Sequence, residues 1–140
     1  KMNHIRNFLL EIPLKKKIFF HNKNKYFASN RIMYYKTGNG FLESHYDTTA
    51  GDFTKQKYGK YYQVLTTITE KEKDYKTGGG FIFLNNKKVN IDDHISNGDI
   101  LIYNEKLKHG VDKIYFKSKK KNSGRISILV TFYKNLIKSR

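Results

Sequence analysis

From Arg31 to Tyr133 the chain is written in short runs of Ile, Val, Thr, Tyr and Phe, separated every few residues by Gly and Asn clusters. Branched and aromatic side chains suit a pleated, half-buried surface, while Gly and Asn supply the turns. Strands are predicted near 31–36, 41–47, 61–69, 80–85, 98–103, 108–115 and 125–133. The punctuation lies at Gly38 and Gly40, Gly51, Gly78 to Gly80, Asn97 with Gly98, and Asn122 to Gly124. No helical pattern alternates with these runs, so an all-β sandwich or barrel is expected over a parallel α/β sheet.

The last strand places Ile126, Ile128, Val130 and Phe132 on one face and Arg125, Ser127, Leu129 and Thr131 on the other. Periodicity alone favours the polar face in water, although a jelly roll with a polar-lined mouth gives the same pattern. Residues 1–30 contain short apolar pieces, Phe8 to Leu10, Ile12, Leu14 and Ile18 to Phe20, broken by Pro13 and Lys15 to Lys17. They read as an N-terminal packing segment ahead of a β domain over 31–140, within one structural domain.

At 140 residues the chain is the size of a single domain. The absence of cysteine excludes disulfides and thiolate metal sites, so any metal must be held by nitrogen and oxygen ligands. No apolar run is long enough to span a bilayer and no signal-peptide pattern opens the chain. A cytoplasmic location is the resulting default, qualified by a start at Lys1, which fits removal of a leader or extension. The net charge of +16 predicts salt-sensitive adhesion to polyanions. Specific nucleic-acid reading is disfavoured, since only Arg6, Arg31, Arg125 and Arg140 offer the guanidinium fork and the lysine excess fits an AT-rich codon bias.

Several residues can carry chemistry. His45 and Asp47 stand at i and i+2 in a strand-like run and project from one face, which Glu43 shares. Alone, a His-x-Asp tripeptide is common, and a surface His beside a turn-forming Asp explains it. His109 follows the run Gly98 to Tyr103 and precedes Gly110-Val111; an isolated His there is more often a hydrogen-bonded structural residue. Two histidines with one carboxylate nevertheless compose the facial triad that leaves iron positions open. Arg125 beside Ser127 is costly to bury unless an anion arrives, and a guanidinium suits a carboxylate. Asp92-Asp93-His94 also offers metal-ligand chemistry, but turn formation before Asn97-Gly98 explains it at least as well; His4 and His21 read as surface residues, and Lys117 to Lys121 as a solvated hairpin tip that a substrate phosphate or nucleic acid could use.

In order along the chain, Tyr34-Tyr35, Gly38 to Phe41, His45-Tyr46-Asp47, Gly78 to Phe83, Gly98 to Tyr103, His109-Gly110-Val111 and Gly124-Arg125-Ile126-Ser127 form a pattern. Over about 32–133 it resembles the Fe(II)/2-oxoglutarate-dependent oxygenase superfamily. The resemblance implies a double-stranded β-helix (jelly roll, cupin-like), with His45, Asp47 and His109 binding Fe(II). It implies that Arg125 and Ser127 bind 2-oxoglutarate, that Tyr34 or Tyr35 adds a hydrogen bond, and that O2 is consumed as a small molecule is hydroxylated. The gap from His109 to Arg125 is longer than usual in the family, leaving Lys119 to Lys121 as alternative partners of the co-substrate. Asp47 argues against a halogenase, and Thr131, where demethylating relatives carry a second arginine, against nucleic-acid demethylation. A non-catalytic β-sandwich binding a polyanion or carbohydrate, or an oxygenase acting on a protein side chain or nucleic acid, is the alternative. Substrate choice is expected to rest on residues 1–30, the loop 48–60 and rim side chains.

Overall fold

The strand-forming runs pair into two antiparallel sheets. The structure, a computed structural model, describes residues 2–9, 14–15, 26–47, 62–104, 106–116 and 123–134. The strands are β1 (Tyr26–Lys36), β2 (Leu42–His45), β3 (Tyr62–Thr67), β4 (Thr77–Leu84), β5 (Lys87–Asn90), β6 (Ile100–Asn104), β7 (His109–Tyr115) and β8 (Gly124–Lys134). One sheet has the order β1-β8-β3-β6 and the other β2-β7-β4-β5. His21, Gly51, the loop 48–60, Lys117 to Lys121 and Asn122 lie outside the described residues, as do the side chains of Thr131 and Phe132.

Two elements were not expected. A helix α1 (Met2–Leu9) forms within the N-terminal segment, and β1 begins at Tyr26, inside that segment. The strand β5 follows β4 through Asn85 and Asn86, with φ of 49° and 63° between the paired Leu84 and Lys87. Positive φ at both central residues is the requirement of a type I′ hairpin, and Asn tolerates it better than most residues.

The last strand turns its polar side inward, the reverse of what periodicity favoured. Arg125 is 1% exposed and Ser127 is fully buried, while Leu129 stands beside Leu65 and Arg31 across the sheet. Ile126 and Ile128, on the other face, are only half-buried. Period-2 alternation distinguishes two faces without saying which one meets a second sheet. Val64 and Val130, cross-strand partners on that same outer face, are buried. The element lying against β3 and β8 there is α1. Among the described residues no helix is long and apolar enough to cross a membrane.

Between the sheets lie a small apolar cluster of Tyr75, Val111 and Ile114, packed by Tyr35 and Phe116, and a cavity of about 330 Å³. The cavity is lined from one sheet by Arg31, Met33, Tyr35, Gln63, Tyr103 and Arg125. From the other come His45, Gly80, Ile82, His109 and Val111, with Asp47 just past the end of β2.

Candidate metal centre and its buried ion pair

Strand pairing brings the two histidines together. β2 and β7 are antiparallel neighbours in which His45 stands directly opposite His109. Cross-strand partners have Cβ atoms about 4.5–5.5 Å apart, and here the two rings lie 4.5 Å apart between centroids. Asp47 follows two residues after His45 and projects to the same place. Its Oδ1 is 3.9 Å from His45 Nε2 and its Oδ2 3.7 Å from His109 Nε2. One ligand atom from each residue falls within a 4.8 Å cluster. Glu43, which shares the face in a regular strand, is exposed and contributes only its carbonyl.

The hydrogen bonds set the tautomers. His45 Nδ1 donates to the Glu43 carbonyl at 2.8 Å, and His109 Nδ1 donates to the Leu107 carbonyl at 2.9 Å. A carbonyl oxygen only accepts, so each Nδ1 carries a proton, and in the neutral form of each ring Nε2 is the nitrogen whose lone pair points toward Asp47. Burial lowers the His109 pKa, outweighing the Leu107 hydrogen bond and the Asp47 charge that raise it. Neutral imidazole is the form that ligates. Two nitrogen lone pairs and one carboxylate fit a divalent first-row metal. Adjacent ligand atoms around bonds of about 2.1 Å stand roughly 3 Å apart, so binding requires the three side chains to close by under an ångström each. Tyr103, its ring 4.7 Å from that of His109, lines the same cavity. Burial, then the charge of Asp47, raises its pKa and keeps the phenol protonated.

Arg125 lies across the cavity, and its anion is already in the chain. Its Nε donates to Asp92 Oδ2 at 2.6 Å and its Nη2 to Asp92 Oδ1 at 3.1 Å, a bidentate pair with both side chains buried. Nη1 donates to Ser127 Oγ at 3.1 Å. Burial alone would lower the guanidinium pKa, but the Asp92 hydrogen bonds and charge more than compensate and raise it. Asp92 also accepts from Tyr75 Oη at 2.6 Å and from the Gly80 amide at 2.7 Å.

Asp92 is therefore not the turn former that the sequence reading made it. The capping of the short 3-10 turn Ile91–Asp93 falls to Asn90, whose side chain accepts from the Asp92 amide. Ser127 is fully buried against Arg125 and is not among the residues lining the cavity. Of the adjacent tyrosines, Tyr35 faces the cavity, with Arg125 Cζ 5.9 Å from its ring centroid. Tyr34 is exposed on the outer face, where its hydroxyl donates to the Ser123 carbonyl at 3.4 Å. His4 is exposed, as expected. Gln63 and Tyr103 carry no signal in the sequence, and Asp92, visible there only as part of Asp92-Asp93-His94, is not marked as the partner of Arg125. The available signal for Asp92 was the buried arginine itself, which requires a carboxylate from somewhere.

Two glycines of the three-glycine run, Gly79 and Gly80, are explained by the same pair. A Cβ on Gly80 would stand 2.9 Å from Arg125 Nη2, and one on Gly79 2.6 Å from Asp92 Oδ2. Gly79 also has φ of +117°. Gly79→Ala is expected to destabilise the protein by on the order of 1–3 kcal/mol, from backbone strain together with displacement of Asp92. Urea denaturation measures this, and a loss of under a few tenths would show that the strand relaxes without disturbing the pair.

No protein-family model matches this chain, and no curated protein matches it. Among solved structures it is similar to an oxidoreductase of the 2OG-Fe(II) oxygenase family from Burkholderia pseudomallei. The two are 12% identical with a TM-score of 0.49, and the match covers 77% of this chain and 44% of that one. The chain thus spans less than half the length of that protein.

Proposed function

We propose that this chain is an Fe(II)- and 2-oxoglutarate-dependent oxygenase that hydroxylates an unactivated carbon of a small molecule, using O2. The observation that carries the reading is a single cavity with a His-Asp-His ligand set in one wall and a buried arginine in another. The strand order supports a jelly roll, since β1, β3, β6 and β8 lie in one sheet and β2, β4, β5 and β7 in the other. A volume of about 330 Å³ is at the small end for ligand pockets and is of a size for small molecules.

In this reading His45, Asp47 and His109 hold the iron. Bound ferrous iron, with 2-oxoglutarate and O2, supplies an oxidant strong enough to remove hydrogen from carbon. The chain's own contribution is to orient and to exclude water. The carbonyls of Glu43 and Leu107 fix the imidazole tautomers, and the half-exposed His45 marks the side open to solvent. Arg125 has five N–H donors, of which Asp92 and Ser127 take three, leaving one on each terminal nitrogen for a co-substrate carboxylate. Tyr35, flanking the guanidinium, narrows that end.

The test is anaerobic addition of Fe(II) and 2-oxoglutarate, which is expected to give a weak visible charge-transfer band. His45→Ala and His109→Ala should each lose that band and bind Fe(II) far more weakly while remaining folded, because two ligands compete poorly with water and buffer. Fe(II) affinity equal to the parent in either variant removes that residue from the site. Turnover that survives Asp47→Ala but not Glu43→Ala would show that the wrong acid has been named.

A further inference from the structure

The geometry points to Gln63 as the positioning residue of the metal carboxylate, one that holds Asp47 to single-oxygen coordination. This rests on the metal-centre reading of the triad and is independent of co-substrate and substrate.

Asp47 needs an external hold. Pairing between β2 and β7 ends at His45 and His109, so the backbone ladder that fixes the two histidines does not reach it. The hold comes from the opposite sheet. Gln63 on β3 is 4% exposed, and its Nε2 donates to Asp47 Oδ2. No other side chain among the described residues is seen to hydrogen-bond that carboxylate.

The direction of the amide is not arbitrary. A carboxylate only accepts, so the end of Gln63 that meets Asp47 must be its NH2, and the reverse setting would press two acceptors together. The consequence is visible at the other end, where Gln63 Oε1 is buried without a hydrogen-bond partner among the described residues. An unsatisfied buried acceptor is destabilising, and an apolar side chain of the same length would avoid it. The arrangement makes physical sense if the amide serves Asp47. Both carboxylate oxygens face a ligand nitrogen, Oδ1 at 3.9 Å from His45 Nε2 and Oδ2 at 3.7 Å from His109 Nε2; Oδ2 is engaged by the N–H donor, which leaves Oδ1 as the oxygen with its lone pairs free for the ion. A carboxylate limited to one oxygen also keeps a coordination position open.

The test uses Co(II) alone, whose visible bands report coordination number and geometry. Gln63→Met preserves length and removes the donor. It is expected to weaken Co(II) binding about 10–100-fold, the usual effect of losing a group that orients a ligand, and to change the band positions and intensities at saturating metal. A residue with only a packing role would shift the melting temperature and leave the saturated spectrum as in the parent. Should Gln63→Met fail to fold, Gln63→Asn withdraws the same amide by one methylene and is expected to give the same two changes. A folded variant with the parent's spectrum at saturation overturns the inference, whatever its affinity. A parent chain that binds no Co(II) overturns the metal-centre reading itself, which is a different result from a parent that binds and a variant that matches it.

Discussion

Asp92→Ala is expected to lower folding stability by about 3–5 kcal/mol, the cost of leaving a buried charge without its partner. Asp92 accepts four hydrogen bonds in the interior, two from Arg125 and one each from Tyr75 and the Gly80 amide. Truncation strands a guanidinium, a phenol and a backbone N–H at once. In the parent, burial first and then the charge and hydrogen bond of Asp92 raise the Tyr75 pKa, so the phenol meets Asp92 as a neutral donor. Asp92→Asn should fall between parent and Ala, since one amide oxygen still accepts but the charge is gone. A combined Asp92→Leu and Arg125→Met variant should recover the part of the loss that the stranded guanidinium causes, because replacing both members of a buried ion pair by apolar groups is often neutral, while Tyr75 and the Gly80 amide stay without their acceptor. Equilibrium urea unfolding with an unchanged slope measures all three. A loss under about 1 kcal/mol for Asp92→Ala would mean that water reaches the pair.

Arg125→Ala is expected to raise the 2-oxoglutarate dissociation constant by roughly thirtyfold to several-thousandfold, equivalent to about 2–5 kcal/mol for a desolvated charge-assisted pair. The ion pair with Asp92 complicates the single variant in a definite direction. Removing Arg125 leaves the Asp92 carboxylate facing the incoming dianion, so repulsion adds to the lost contact, and the fold weakens as well. The Asp92→Leu and Arg125→Met combination separates these effects: it should stay folded, keep Fe(II), and still bind 2-oxoglutarate poorly. Arg125→Lys should recover only part, because an ammonium cannot serve Asp92 and a second carboxylate with parallel bonds. Anaerobic titration of 2-oxoglutarate into each iron-loaded variant, read by the charge-transfer band, is the measurement. If the combined variant binds 2-oxoglutarate like the parent, Arg125 is a structural member of an ion pair and the co-substrate carboxylate has another partner.

By itself the sequence determined the class of fold and the kinds of side chain available to the candidate metal site. Runs of Ile, Val, Tyr and Phe between Gly and Asn clusters leave few alternatives to antiparallel sheets, because strand formation is written into residue shape at each position. The absence of cysteine left only nitrogen and oxygen ligands, and the i, i+2 spacing of His45 and Asp47 predicted a common direction, which holds although Asp47 lies just past the end of β2. Tertiary structure alone decided which faces turned inward. The polar side of β8, which alternation assigned to water, closes over the cavity, and Tyr35 enters it while Tyr34 does not. Partnership across long separations was likewise invisible in one dimension. Asp92 meets Arg125 over a separation of 33 residues, and Gln63 meets Asp47 from the opposite sheet. Local periodicity reports what a residue's neighbours in the chain require, whereas a buried charge or amide is settled by whichever partner the folded sheets bring within hydrogen-bonding distance.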